Sequence, residues 1–144
     1  MKTTKTKTTL ITILCLGALC LLLAACDGNV CQEGDTDCEC AGQGACSWVC
    51  SGANCAYSAT GQGSATFECD DGGCSLNTRA QGDVTLNCGA GGCKVTSTAQ
   101  GRTTVNCAGG TCTVACNGNG ECVINGCPTC ACTEGAITAS CSVN

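Results

Sequence analysis

The chain has 144 residues, a formal net charge of −5 and no histidine, and it contains 21 cysteines and 21 glycines. The absence of histidine excludes the catalytic triads that are built on an imidazole, and it removes the commonest zinc ligand. The negative charge argues against nucleic acid as a partner, because binding to the phosphate backbone depends on clustered lysine and arginine.

Residues 1–25 predict an export signal peptide. Lys2, Lys5 and Lys7 form a charged head, and a mostly apolar run follows from residue 10 to residue 25. This run is shorter than the ~20 residues that a helix needs to span a bilayer, and the glycine-rich sequence after it has no stop-transfer pattern. A cleaved signal is therefore favoured over a membrane-spanning helix.

The end of the apolar run, Leu23-Ala24-Ala25-Cys26, resembles the lipobox of bacterial lipoproteins. The resemblance implies cleavage before Cys26 and lipid on its thiol. It also implies anchoring on the extracytoplasmic side of a bacterial cell, on either the inner or the outer membrane. Several acyl chains hold a protein far more firmly than one chain, which binds only marginally. The alternative is an ordinary secretory signal, with Cys26 in a disulfide.

Residues 26–45 predict an acidic, cysteine-containing spacer after the anchor. They lack the repeat that follows, and Glu33, Asp35, Asp37 and Glu39 alternate through them. Solvated charge is the favoured interpretation of these carboxylates, because their spacing matches no recognised calcium loop.

Residues 46–144 predict a cysteine-rich β repeat domain. Apolar or small residues alternate with polar ones inside each unit, which is the period of a half-buried strand. Each unit therefore predicts two short strands and two turns, one at a Gln-Gly pair and one inside a C-x4-C segment. Units of 19 residues begin at Cys50, Cys69, Cys88 and Cys122, a shortened unit begins at Cys107, and a stub begins at Cys141.

Two all-β architectures fit this disulfide-rich repeat. In a thin β-solenoid each 19-residue unit is one coil, and equivalent side chains stack about 4.8 Å apart. In a β-meander of disulfide-capped hairpins, the Gln-Gly and cysteine turns would join antiparallel strands. The solenoid is favoured, because side chains at matching positions are alike and stacking rewards that likeness.

Eighteen cysteines remain when Cys15 and Cys20 of the signal and Cys26 are set aside, an even number that fits a framework without a spare thiol. Pairs across each C-x4-C would close the turns, but crosslinks between neighbouring coils are equally allowed by the strand spacing. A shared C-x5-C spacing indicates cap-like units at Cys40–Cys46 and Cys116–Cys122. The candidate turn pairs are Cys50–Cys55, Cys69–Cys74, Cys88–Cys93, Cys107–Cys112 and Cys122–Cys127.

No pattern in the chain predicts catalysis or a cofactor. We expect a non-catalytic structural or interaction module of the cell envelope, held on the membrane by Cys26, with an unidentified surface partner. The alternative is an exported thiol protein that binds a soft metal through Cys127, Cys130 and Cys132, whose C-x2-C and C-x-C spacings could hold one. Oxidised pairing is favoured after export.

Overall fold

The computed structural model describes residues 29–36, 38–127, 129–135 and 140–144, so the predicted signal peptide and Cys26 lie outside the described residues. The described part is all-β, with thirteen strands and no helix. The strands are β1 (Asn29–Gln32), β2 (Cys38–Cys40), β3 (Cys46–Ser51), β4 (Ala56–Ala59), β5 (Ala65–Cys69), β6 (Ser75–Thr78), β7 (Val84–Cys88), β8 (Lys94–Ser97), β9 (Thr103–Cys107), β10 (Thr113–Cys116), β11 (Glu121–Asn125), β12 (Ala131–Glu134) and β13 (Ser140–Val143).

The strands form two parallel sheets that the chain visits alternately. The odd-numbered strands make a seven-stranded sheet and the even-numbered strands a six-stranded sheet, each in chain order. Strands that follow one another in the chain therefore lie in different sheets, whereas hairpin turns join antiparallel neighbours in one sheet. The predicted solenoid is confirmed, and the meander alternative is wrong.

The coils repeat every 19 residues. Thr66 pairs with Thr85 and Thr85 with Thr104, and the same interval separates hydrogen-bonded side chains on the outer face. With the described strands as the frame, the six coils are residues 31–49, 50–68, 69–87, 88–106, 107–125 and 126–144.

Inward-pointing side chains from both sheets fill a thin core. Tyr57 and Phe67 pack with ring centroids 4.7 Å apart, and half-buried Trp48 lies beside Phe67 in the preceding coil. Further along, the large side chains of the core are aliphatic, and they are Leu76, Leu86, Val84, Val95, Val105, Val114 and Ile124. Burial of so few large side chains supplies limited hydrophobic stabilisation, so backbone ladders and crosslinks must contribute the rest.

The predicted spacer at residues 26–45 is corrected by the structure, because from Asn29 onward it is part of the array. β1 pairs in parallel with β3, and β2 with β4, so Cys31 lies beside Cys50 and Cys38 beside Tyr57. Cys38 stands at the inward position that Tyr57 and Leu76 hold in later coils, and the acidic residues Glu33, Asp35 and Glu39 are exposed. The pattern is hard to detect in the sequence because buried cysteine replaces the apolar signal.

The predicted shortened unit after Cys107 is also wrong. Cys116 pairs with Ser97 and Cys122 with Thr103, so the 19-residue register passes through this segment without a break. Counting from cysteine to cysteine aligns Cys122 with Cys107, which begins the preceding unit. In the sheet, however, Cys122 lies beside Thr103, near the start of a strand. Among the described strands, one pair departs from the 19-residue interval. Val114 pairs with Cys132, which is 18 residues later, so the last coil is one residue shorter where it reaches the six-stranded sheet.

Candidate functional site

The cysteines are the most prominent chemical feature of the array. All 18 from Cys31 to Cys141 are paired, in nine disulfides with Cα–Cα distances from 5.5 to 6.4 Å. Six of these, the turn disulfides, close the turn that leads from the seven-stranded sheet to the six-stranded one. They are Cys31–Cys38, Cys50–Cys55, Cys69–Cys74, Cys88–Cys93, Cys107–Cys112 and Cys127–Cys130. The other three, the corner disulfides, lead back to the seven-stranded sheet, and they are Cys40–Cys46, Cys116–Cys122 and Cys132–Cys141.

Four of the five predicted turn pairs are formed, and they lie within turns rather than between coils. The first cysteine lies at the end of a strand or one residue before it, and the second directly precedes the next strand; the side chains of both are buried. Gly72 and Gly73 have φ angles of +76° and +71°, a left-handed backbone that lets the chain reverse inside the C-x4-C segment. The two sulfur atoms therefore meet on the core side of the turn.

The fifth predicted pair, Cys122–Cys127, is wrong. Cys122 pairs with Cys116, and Cys127 pairs with Cys130. Cys122 is the second residue of β11, at the opposite corner of the coil, where it is bonded to Cys116. Cys130 takes the position that Cys112 holds one coil earlier. The C-x5-C spacing shared with Cys40–Cys46 was the signal for this pairing, because both segments close the same corner.

The turn disulfides of the second to sixth coils stack into what we call the sulfur column. Cys93 Sγ lies 4.0 Å from Cys69 Sγ in the preceding coil. The same relationship recurs in three groups whose sulfur atoms all lie within 4.8 Å of one another: Cys50, Cys55 and Cys74; Cys88, Cys93 and Cys112; Cys107, Cys112 and Cys130. The cysteines of the column are buried except for Cys130, which is half-buried.

Each of the predicted metal ligands Cys127, Cys130 and Cys132 has its sulfur bonded to another sulfur. Cys127 pairs with Cys130, and Cys132 pairs with Cys141 across the last coil. A soft metal requires deprotonated thiolates as ligands. Metal binding at this cluster would therefore need prior reduction of both disulfides.

A ladder of polar side chains runs along the outer face of the seven-stranded sheet. Asn87 Nδ2 donates to Glu68 Oε1 at 2.7 Å, and Asn106 Nδ2 donates to Asn87 Oδ1 at 2.6 Å. The series continues from Asn125 to Asn106 at 2.9 Å and from Asn144 to Asn125 at 3.4 Å. These bonds join five successive coils outside the core.

Tyr57 is the one tyrosine of the chain, and its environment opposes acid–base chemistry. Its hydroxyl donates to the carbonyl oxygen of Glu68 at 2.7 Å. Burial, reinforced by the nearby negative charge of Glu68, raises the pKa of Tyr57 to about 12. The phenol is therefore a structural hydrogen-bond donor at neutral pH.

A cavity of about 240 Å³ lies at the corner between the first two coils. Alanine side chains and glycine-rich turns line it, beside the Cys40–Cys46 disulfide. Glu39, at its rim, already accepts a hydrogen bond from Thr60 Oγ1 at 2.9 Å. Specific ligand sites combine an apolar lining with several convergent polar groups, and this lining does not provide them.

Among residues 29–36, 38–127, 129–135 and 140–144, no helix has the length and apolarity needed to cross a membrane. Comparison of the chain with protein-family models, with curated proteins and with solved structures gives no match.

Proposed function

We propose that the protein is a lipid-anchored, non-catalytic module on the extracytoplasmic side of a bacterial cell envelope. The observation that carries this proposal is the position of the crosslinked array, whose first strand begins at Asn29, three residues after Cys26. Lipid on Cys26 would hold the first coil close to the membrane surface. The coils, about 4.8 Å apart, would then present a narrow, stiff body of roughly 30 Å along the solenoid axis.

The chemistry of the side chains supports a structural or interaction role. Histidine is absent from the chain, and the cysteines from Cys31 to Cys141 are oxidised, so neither an imidazole base nor a free thiolate nucleophile is available. Repeat scaffolds commonly act through extended surfaces rather than through a pocket. The polar ladder on the seven-stranded sheet is the most regular such surface here, with one amide or carboxylate in each coil from Glu68 onward.

Mass spectrometry and detergent partition of the protein expressed in a bacterial host test the anchor. We expect the wild-type chain to begin at Cys26, to carry acyl mass on that residue and to partition into the detergent phase. Cys26→Ala should lose the acyl mass and enter the aqueous phase, whereas the matched variant Cys20→Ala should behave as wild type. A Cys26→Ala variant that stays in the detergent phase would show that another feature holds the protein on the membrane.

Thiol counting separates the scaffold from the alternative metal-binding thiol protein. Under denaturing, non-reducing conditions, the scaffold predicts no free thiol among the 18 cysteines from Cys31 to Cys141. Four or more free thiols in the cluster around Cys127, protected by zinc when the native protein is alkylated, would instead favour the metal-binding protein.

A further inference from the structure

We propose that the sulfur column supports directed thiol–disulfide exchange, in which a free thiol formed in one coil moves from coil to coil along the solenoid. Exchange requires a thiolate close to a sulfur of an existing disulfide. The column provides this arrangement repeatedly, because the second cysteine of each turn lies beside the disulfide of the preceding coil. The inference concerns the oxidised array itself and does not depend on lipid at Cys26.

The contact between Cys93 and Cys69 indicates which sulfur of a turn disulfide is attacked. Cys93 is the second cysteine of its turn, and the sulfur 4.0 Å from it belongs to Cys69, the first cysteine of the preceding turn. Each group of three sulfurs within 4.8 Å likewise contains both sulfurs of one turn disulfide and the second cysteine of the next. For a thiol that starts at the C-terminal end, the second cysteine of a coil is therefore the attacking group, and the 4.0 Å contact makes the first cysteine of the preceding coil its target.

One step exchanges one disulfide for another. The Cys93 thiolate attacks Cys69 Sγ with its electron pair, so a Cys69–Cys93 bond forms while the Cys69–Cys74 bond breaks. Cys74 leaves as the thiolate and takes up the proton that Cys93 gave to solvent. The numbers of thiols and disulfides are unchanged, so the step needs no oxidant or reductant.

The thiol would enter at the C-terminal end of the column. Cys130 is half-buried, whereas its partner Cys127 and the rest of the column are buried. A dithiol reductant can reduce Cys127–Cys130 and become a disulfide itself, which leaves thiols on both cysteines. Successive steps from Cys130 would then place the moving thiol on Cys112, Cys93, Cys74 and finally Cys55.

The product is a set of disulfides shifted by one coil. The new bonds are Cys107–Cys130, Cys88–Cys112, Cys69–Cys93 and Cys50–Cys74, and each of them joins neighbouring coils. The path ends at Cys55, whose sulfur lies 3.2 Å from the carbonyl oxygen of Gln32 in the first coil. Partial reduction would thus convert crosslinks within turns into crosslinks along the solenoid axis.

The variant Cys127→Ser tests the path without a reductant, because it leaves Cys130 as the one thiol of the array. The folded protein is incubated at pH 8.5, quenched with acid, alkylated in denaturant and mapped by mass spectrometry without reduction. We expect the alkyl label to shift from Cys130 to the second cysteines Cys112, Cys93, Cys74 and Cys55. A label that stays on Cys130 overturns the proposal.

A second variant starts the exchange from the N-terminal end of the sulfur column. Cys50→Ser leaves a thiol at Cys55, from which the same contacts lead in the opposite direction to the first cysteines of the turns. The label should then shift to Cys69, Cys88, Cys107 and Cys127. This variant also keeps the test decisive if Cys127→Ser does not fold.

A matched control lies outside the column. Cys46→Ser leaves a thiol at Cys40, whose neighbour in the sheet is Ala59, and the replaced Cys46 lies beside Ala65, so no disulfide of the next coil is in register with this corner. We expect the label to remain on Cys40. Label spread over all cysteines in any of the three variants would indicate unfolding and random exchange, and it would overturn the directed path.

Discussion

Ser97 Oγ lies 2.8 Å from Thr103 Oγ1 inside the fourth coil, and this buried hydroxyl pair occupies the place of a corner disulfide. One coil further, Ser97 is beside Cys116 and Thr103 beside Cys122, which are bonded to each other. The first coil closes the same corner with Cys40–Cys46. The same two positions of the coil are therefore joined by a disulfide in the first and fifth coils and by a hydrogen bond in the fourth.

The double variant Ser97→Cys/Thr103→Cys should form a tenth disulfide in the array. The equivalent cysteines have Cα–Cα distances of 5.8 and 6.1 Å, which suits a disulfide. Closing a loop of six residues stabilises a chain by about 2 kcal/mol in the chain-entropy model. Guanidinium unfolding should show a higher midpoint than wild type, and thiol counting should find no free thiol. The single variant Ser97→Cys is the control, and two free thiols in the double variant would contradict the assigned corner.

Removal of one side chain from the polar ladder should destabilise the array. Asn106 donates to Asn87 and accepts from Asn125, and all three are half-buried. Asn106→Ala breaks both bonds and leaves their partners without a replacement, which costs about 1–3 kcal/mol. Asn77→Ala, at an exposed position on the six-stranded sheet, is the matched control and should change the free energy of unfolding by less than about 0.5 kcal/mol. Equal effects of the two substitutions would argue against the ladder.

Glycine at the Gln-Gly turn is required by the close stacking of coils. A Cβ atom at Gly82 would lie 2.5 Å from the carbonyl oxygen of Gly63 in the preceding coil. Gly82→Ala should therefore separate the two backbones and cost about 1–3 kcal/mol. Gly44 holds the same position in the first coil, where a Cβ would meet no atom within 4 Å. Gly44→Ala should be tolerated, and urea midpoints that fall equally in both variants would contradict this packing.

The phenol of Tyr57 should titrate at a higher pH than an ordinary tyrosine. It should do so in a single transition, because Tyr57 is the one tyrosine of the chain. Absorbance at alkaline pH should give a midpoint near the pKa of about 12 in the folded protein, compared with the ordinary value of 10.0 after reduction and denaturation. Because folding favours the neutral phenol, its contribution to stability is complete below pH 10 and is lost as the pH rises from 10 towards 12. A folded-state midpoint at the denatured value would contradict the buried position.

Several features of the fold follow from the sequence because they depend on local periodicity. The alternation of Val84, Thr85 and Leu86 predicts which side chains point inward, and the structure buries Val84 and Leu86 with Thr85 between them less buried. The C-x4-C segments with paired glycines predict tight turns, and these turns hold the disulfides Cys69–Cys74 and Cys88–Cys93. The even cysteine count likewise predicts a framework with no spare thiol.

The tertiary structure alone decided the relationships between coils. Parallel pairing of β1 with β3 made residues 29–45 part of the array, although cysteine at the inward positions concealed the repeat. Pairing of Cys122 with Thr103 in the sheet moved that cysteine to the opposite corner from the turn cysteines and gave it Cys116 as its partner. The physical reason is that local spacing limits how far apart two sulfurs can be, whereas their choice of partner depends on which corner of the coil each one occupies. That position is set by strand register across the whole solenoid, which no single segment contains.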